Sequence, residues 1–298
     1  DDNYTLSTEN DTISWVIARA DISGVTLENK EVTYSGAPNT IEANTTKTQY
    51  NDDIDITYTI SKDSQAVDSA VVVGEYTITA SLNAGSNYNK STLRATLTIK
   101  ALTLSTKWQV GELIYDGTLQ GITAVITNVI GTDDVALHLE NNQNHFAGDY
   151  VASIVSIVGD DNFNYALPTD GLSQSWSIAK RVLNITWAGG DFTYDGTKKS
   201  VSATITNLVE GNQVDLVLSN DSAVDAGSYT AEITSFVDGS GTNYTLPTTG
   251  LTYDYNIATR VAVVEWVVST LTYNGEEQGI NANVSNKVGA DEVSFVLD

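Results

Sequence analysis

The sequence predicts an all-β chain, a tandem array of two-layer β-sandwich modules of about 80 residues each. Three observations predict it. A Tyr-x-Gly signature recurs as Tyr34-Ser35-Gly36, Tyr115-Asp116-Gly117, Tyr194-Asp195-Gly196 and Tyr273-Asn274-Gly275, in steps of 81, 79 and 79 residues. Self-similarity at a fixed period marks an array of like units. Between these signatures, apolar and polar residues alternate with period two, the mark of half-buried strands, and turn residues separate the runs.

Further landmarks fix the repeat boundaries. Trp108, Trp187 and Trp266 are spaced by 79, as are Gly148-Asp149-Tyr150 and Gly227-Ser228-Tyr229, and Asn164-Tyr165 and Asn243-Tyr244. Earlier counterparts are Asn3-Tyr4, Gly74-Glu75-Tyr76 and Asn87-Tyr88. The period divides the chain into the close of one module (1–18), three complete modules (19–100, 101–179 and 180–258) and the opening half of a further one (259–298). Residues 220–240 have no counterpart between the two partial modules, so the sequence reads as a window on a longer array. Completing the opening half would cover Ile280, Ala282, Val284 and Phe295. The module at 19–100 diverges most, with Leu27 in the Trp place and Ser35 in the Asp place.

Within a module the strands follow in order. Trp187 alternates in phase with Leu183 and Ile185, so the Trp column faces the core. Asp116-Gly117 and Asp195-Gly196 predict tight hairpins, because both residues tolerate positive φ. Val201, Ala203 and Ile205 face inward, as do their equivalents Ile122, Ala124, Ile126 and Ile280, Ala282, Val284. The next strand points Val214, Leu216 and Leu218 inward, matched by Val135, Leu137, Leu139 and by Val293, Phe295, Leu297. Asp225-Ala226-Gly227-Ser228-Tyr229 then has the Asp-x-Gly-x-Tyr form that opens the penultimate strand of immunoglobulin-like sandwiches, where the tyrosine hydroxyl bonds back to the chain. The fold class is therefore immunoglobulin-like. A β-grasp-like module is the alternative, and it needs a helix for which no apolar stripe exists.

Junctions such as Ile178-Ala179-Lys180-Arg181-Val182 carry no Gly-, Pro- or Ser-rich spacer, so they predict stiff stacking rather than flexible linkage.

Composition excludes several functions. The chain has no Cys and no Met, which removes disulfides, thiolate metal sites and thiol catalysis. With 14 basic against 38 acidic residues the net charge is −24. Phosphate neutralisation needs clustered Lys and Arg, so nucleic acid and anionic lipid are poor partners. No apolar run approaches the ~18 residues of a membrane helix, so no membrane insertion is expected in this segment.

Candidate chemistry is sparse. His138 and His145, the only histidines, do not recur, so no triad or histidine metal site is shared by the modules. The acidic pairs Asp52-Asp53, Asp133-Asp134 and Asp160-Asp161 have the oxygen chemistry of calcium sites, but they read as solvated loops away from the junctions. Leu246-Pro247-Thr248-Thr249-Gly250 matches a sorting-signal pattern, yet it repeats Leu167-Pro168-Thr169-Asp170-Gly171 and so reads as a turn of the module. Sequons lie at Asn3, Asn10, Asn44, Asn89, Asn184, Asn220, Asn243 and Asn283. No catalytic, cofactor-binding or metal-binding residue is assigned, and no enzyme is expected.

Tyr-Asp-Gly-Thr, alternating strands, Ala-Gly-x-Tyr-x-Ala and Asn-Tyr-x-Leu, in that order, resemble the YDG/MBG-type repeats of large bacterial surface proteins. The resemblance covers nearly the whole chain. It implies an extracellular, cell-surface, adhesin-like or stalk-forming protein whose partners are neighbouring modules or copies of itself, with glycan or surface protein as alternatives.

Overall fold

The structure, a computed structural model, describes every residue except Asp1, Leu6, Thr8, Asn10, Asp11, Asp161, Asn162, Ser240, Phe295, Leu297 and Asp298. The described residues form strands and turns and no helix. The expectations for Asn10, Asp161, Phe295 and Leu297 lie outside them. Two compact units form. One comprises Asp1–Gln109, Ile122–Asn142 and Val151–Gln174, and the other Val110–Gly121, Gln143–Tyr150 and Ser175–Asp298. Residues 101–179 thus contribute to both.

In the first unit, β1 (Lys30–Thr33), β2 (Asp55–Lys62), β3 (Gln65–Val67), β4 (Gly74–Asn83) and β5 (Ser91–Lys100) form one sheet in the order β1-β5-β4-β2-β3. Alternation along β4 buries Tyr76, Ile78, Ala80 and Leu82 and leaves Glu75 exposed. Leu97 and Ile99 of β5 join Tyr76 and Ile78 in a core closed by Tyr34, Ile41 and Ala70. A second centre sets Ala80 and Leu82 against Ile54, with Ile22, Val25 and Leu27 packed on it. The opposing layer of this repeat is therefore irregular chain. β2 and β3 are joined by Asp63-Ser64, both at positive φ. That is the two-residue geometry matching strand twist, here without a glycine.

The same unit holds β6 (Leu102–Thr103) and β7 (Thr106–Gln109). The other unit holds β8 (Leu113–Ile114) and β9 (Gln120–Gly121). Next come β10 (Thr123–Ile126), β11 (Ala136–Glu140), β12 (Gln143–Asn144), β13 (Gly148–Val158), β14 (Tyr165–Ala166) and β15 (Ser173–Ala179). β7 pairs antiparallel with β10, bringing Trp108 opposite Ala124, and β8 pairs parallel with β15.

Residues 180–258, all in the second unit, show the sandwich most fully. They form β16 (Arg181–Val182), β17 (Ile185–Ala188), β18 (Asp191–Thr193), β19 (Lys199–Ser200) and β20 (Ser202–Ile205). β21 (Val214–Ser219), β22 (Ser222–Ala223), β23 (Gly227–Asp238), β24 (Tyr244–Thr245) and β25 (Thr252–Ala258) follow. One layer is the sheet β18-β25-β23-β21 and the other contains the β17–β20 pair. Val201, Ala231, Tyr255 and Ile257 are buried between them, with Trp187 and Phe192 packed on. β26 (Val264–Val267) and β27 (Asn281–Val284) repeat the β17–β20 pairing, with Trp266 opposite Ala282.

The tyrosine corner is present in all three complete repeats. Tyr76, Tyr150 and Tyr229 each donate a hydroxyl hydrogen bond to the carbonyl four residues upstream, on Val72, Phe146 and Asp225, at 2.8, 2.7 and 2.9 Å. This corner identifies the penultimate strand of an immunoglobulin-like sandwich.

Two expectations need correction. Asp116-Gly117 and Asp195-Gly196 do not make hairpins: β18 runs parallel to β25, and β19 pairs with β22. The glycines take positive φ, but each aspartate folds back on its own loop instead. Asp195 accepts the Thr197 N–H at 2.9 Å and its hydroxyl at 2.6 Å, a local turn that carries the chain from one layer to the other. The Trp column faces inward as expected but is only half-buried at Trp108 and Trp187, and Trp266 is 55% exposed. Each of the first two indole N–H groups needs a partner and finds one at the sandwich margin, the carbonyls of Gly171 and Gly250 at 2.9 and 3.0 Å.

Candidate functional site

The most organised chemistry in the chain lies where one repeat meets the next. The first strand of the sheet runs parallel to the last, and the signature tyrosine extends that pairing by one bond. The N–H groups of Tyr34, Tyr115 and Tyr194 reach the carbonyls of Lys100, Ala179 and Ala258 at 2.8, 2.9 and 2.9 Å. Each tyrosine is therefore held at the end of its own repeat, where the next begins.

Its hydroxyl then crosses the joint. Tyr34 donates to Asp133 at 2.8 Å, Tyr115 to Asn212 at 2.7 Å and Tyr194 to Asp291 at 2.7 Å. In the first two joints a second tyrosine shares the same acceptor oxygen. Tyr165 donates to Asp133 at 2.7 Å and Tyr244 to Asn212 at 3.0 Å. Their ring centroids stand 5.5 Å from those of Tyr34 and Tyr115, edge to face. These second hydroxyls also accept from backbone, the N–H of Ile130 and of Val209, both at 2.9 Å. The paired tyrosine hydroxyls and their shared acceptor oxygen are thus all hydrogen-bonded, as buried polar groups require.

The neighbouring asparagine works in the opposite direction along the chain. Oδ1 of Asn164 accepts the N–H of Val73 at 3.0 Å, and Oδ1 of Asn243 accepts that of Ala147 at 2.9 Å. Asn243 is 1% exposed, which excludes its sequon from glycosylation in the folded chain. Asp160 fixes the Asn164-Tyr165 pair by accepting both backbone N–H groups at 2.8 Å.

The glycine of the signature supplies the close approach. A Cβ on Gly36 would come 2.8 Å from Ile130 Cγ2, one on Gly117 would come 2.5 Å from Val209 Cγ1, and one on Gly196 would overlap Val288. The loop presenting the glycine is tied by its acid. Asp116 Oδ1 accepts from the Thr118 hydroxyl and N–H and from Gln120, and these bonds hold its carboxyl below the usual range. Lys199 and Thr197 do the same for Asp195.

Sequence reasoning placed the acidic pairs away from the junctions, and here the structure differs. Asp133, first of the Asp133-Asp134 pair, is the acceptor of the first joint. The column Asp133, Asn212, Asp291 keeps the 79-residue step and was legible as Gly-x-Asp-Asp-Val, Gly-Asn-Gln-Val and Gly-x-Asp-Glu-Val. The Asn for Asp exchange in the middle repeat hid it. Of the other pairs, Asp52 accepts from Tyr88 and Asp53 is ion-paired with Lys47. Among the described residues no group of three or more His, Asp or Glu is arranged to hold a metal. His138 points outward, as its phase predicts.

A concavity of about 690 Å³ opens on repeat 180–258 beside Gly189-Gly190 and Tyr253. The hydroxyls of its tyrosines are taken internally: Tyr229 by Asp225, Tyr253 by Gly189 and Tyr255 by Asn220.

No protein-family model and no curated protein matches the chain. Solved structures that resemble it are tandem-domain proteins. A fragment of Down syndrome cell adhesion molecule with eight Ig domains is 11% identical with a TM-score of 0.29, over 81% of this chain and 36% of that one. The three N-terminal domains of the bacteriophage RB49 outer capsid protein Hoc give 11% identity and 0.26, over 80% and 100%. Domains 4–9 of the surface layer protein SbsC give 14% and 0.23, over 83% and 49%. The chain thus spans about a third of the first of these and half of the last. Its fold assignment rests on the strand pairings and tyrosine corners above.

Proposed function

We propose that this chain is a structural segment of an extracellular rod or stalk, of the YDG/MBG-type repeat class, that spaces or assembles a cell-surface filament, layer or adhesin. One observation carries the reading: the same lock of tyrosine, side-chain oxygen acceptor and glycine recurs at three successive joints. Chemistry invested at each of these joints serves the transmission of position and load along the chain. At the first two junctions a single residue lies between the strands of adjoining repeats, Ala101 between β5 and β6 and Lys180 between β15 and β16, which leaves little slack there. The net charge of −24 disfavours lateral aggregation of neighbouring rods. An adhesive role, gripping glycan or protein, draws less support, because the tyrosines of the concavity beside Gly189-Gly190 already spend their hydroxyls on backbone.

Small-angle scattering of the full chain tests the rod. The maximum dimension should be unchanged by a calcium chelator, because the acceptors of each joint are filled by tyrosine hydroxyls. It should shorten in the joint variant Tyr115→Ala. An unchanged dimension in that variant, or a large loss on chelation, overturns the reading.

A further inference from the structure

The chain has no Cys and no Met, the side chains that ordinarily take up oxidant first. Tyrosine and tryptophan are then its most oxidisable groups. Tyr34 and Tyr165 meet at the first joint with ring centroids 5.5 Å apart. Both hydroxyls donate to the same oxygen, Oδ2 of Asp133, at 2.8 and 2.7 Å. A shared acceptor brings the two phenol oxygens, and with them the ring carbons beside those oxygens, to one place. The residues are 6% and 5% exposed, so each ring can reach the other and not a ring of another molecule.

The acceptor is the second requirement. Removing an electron from a phenol makes its proton strongly acidic, so oxidation proceeds with proton transfer to a hydrogen-bonded base. Asp133 is such a base. Tyr115 and Tyr244 keep the 5.5 Å separation and the shared acceptor, but theirs is the amide oxygen of Asn212, which does not take the proton. Tyr229 and Tyr255 lie 5.4 Å apart, yet their hydroxyls go to separate backbone carbonyls, of Asp225 and Asn220. The first joint combines ring contact, a shared oxygen and a carboxylate.

We propose that Tyr34 and Tyr165 are an oxidative coupling site, where peroxide-derived one-electron oxidants join the two rings into a dityrosine that staples the first joint. Each phenol gives one electron to the oxidant and its hydroxyl proton to Asp133, which is partly exposed and returns each proton to water in turn. The two phenoxyl radicals pair their electrons in one new bond between ring carbons ortho to oxygen, a Cε of Tyr34 and a Cε of Tyr165. Each bonded carbon then releases its hydrogen as a proton while its ring oxygen regains one, which restores two phenols. In sum two ring hydrogens leave as two protons and two electrons, and one hydrogen peroxide takes them up to become two waters. Tyr34 is held at the end of repeat 19–100 and Tyr165 belongs to repeat 101–179, so the new bond crosses the joint covalently. The staple rests on the joint behind the rod reading, yet a joint that forms and does not couple would remove the staple and leave that reading standing.

Treatment of the dilute full chain with hydrogen peroxide and a haem peroxidase, followed by digestion and mass spectrometry, tests it. The expected product is a peptide pair joined through Tyr34 and Tyr165 and lighter by two hydrogens than its parts. Its yield should exceed that of a Tyr115–Tyr244 link at least about tenfold, a modest share of what a positioned base contributes. Tyr34→Phe should abolish it. Asp133→Asn reproduces the acceptor of the second joint and should lower the yield to the level found there. Asn212→Asp, a carboxylate that the first and third joints already accommodate, should raise the Tyr115–Tyr244 link at least about tenfold. No joined pair in the wild-type chain, equal yields at the two joints, or yields indifferent to both acceptor variants would each overturn the proposal.

Discussion

Tyr115 and Asn212, 97 positions apart in sequence, are 2.7 Å apart at the joint, the tyrosine hydroxyl donating to the amide oxygen. The same relation links Tyr34 to Asp133 and Tyr194 to Asp291 with a carboxylate in the acceptor place. A carboxylate makes the stronger, charge-assisted bond. An amide carries no charge to desolvate, so the middle joint gives up bond strength for a lower burial cost.

Tyr115→Phe keeps the edge-to-face contact with Tyr244 and removes only the hydroxyl. Asn212 retains its bond from Tyr244, so the loss should be about 0.5–1.5 kcal/mol. Tyr115→Ala also empties a buried site and should cost about 3–5 kcal/mol. Urea titration of the full chain, followed by a probe at the joint, separates the two.

Gly117→Ala should be worse than an ordinary glycine substitution. Its φ of 82° costs an L-residue about 1–2 kcal/mol, and the new methyl also meets Val209. Gly171→Ala is the control: its φ is 66° but nothing lies within 4 Å of the added carbon. Adding Val209→Ala to Gly117→Ala should recover the steric part and leave the backbone part. Equal costs for the two glycine variants would remove the close-approach argument.

Alkaline pH should loosen the first joint. Burial, and then the hydrogen bond to Asp133, pushes the Tyr34 hydroxyl up to about 12 from an ordinary value of 10.0. A folded-state pKa above the unfolded one means the stabilisation is complete below about pH 10 and disappears as pH rises toward about 12. The stability difference between the wild-type chain and Tyr34→Phe should therefore be constant up to about pH 10 and shrink above it. Burial raises Tyr165 in the same joint, which deepens the alkaline loss common to both proteins.

Trp187 and Trp266 hold the same sequence position and should respond differently. Trp187 stacks on Tyr253 with centroids 5.5 Å apart and bonds the Gly250 carbonyl. Its replacement by alanine should cost about 3 kcal/mol, the lower end for a large aromatic because the site is half-open. Trp266→Ala should fall within about 0.5 kcal/mol, as an exposed position does. Thermal unfolding of the two variants reads the difference directly.

Arg181→Leu should be close to neutral. The Arg181 Nε is buried without a partner, and Leu102 fills the equivalent place at the preceding joint. Losing an unsatisfied polar atom offsets the single 3.4 Å bond from the guanidinium to the Tyr115 carbonyl. A destabilisation above about 2 kcal/mol would show that the guanidinium carries more than this geometry does.

The repeat, the strand faces and the tyrosine corner were all legible from residue order alone. Those features are local: Val201 with Ala203 and Ile205 declares a face by alternation, and Tyr229 bonds only four residues back. Where a partner lay far off in sequence, local reasoning failed. Asp195-Gly196 looked like a hairpin because nothing nearby shows that β18 lies parallel to β25, some sixty residues on. Asp63-Ser64 makes a true hairpin without the glycine that would have announced it. The half-burial of Trp187 was decided by the Gly250 carbonyl at the rim, which holds the ring by its N–H. Above all, the joint was decided in three dimensions. A tyrosine, an acceptor 97 or 99 residues later and a second tyrosine 32 residues beyond that become one cluster only after two sandwiches have folded. Alternation records which side of a strand meets the core. It does not record which residue at the end of one sandwich will meet the beginning of the next, because that depends on how whole folded units abut.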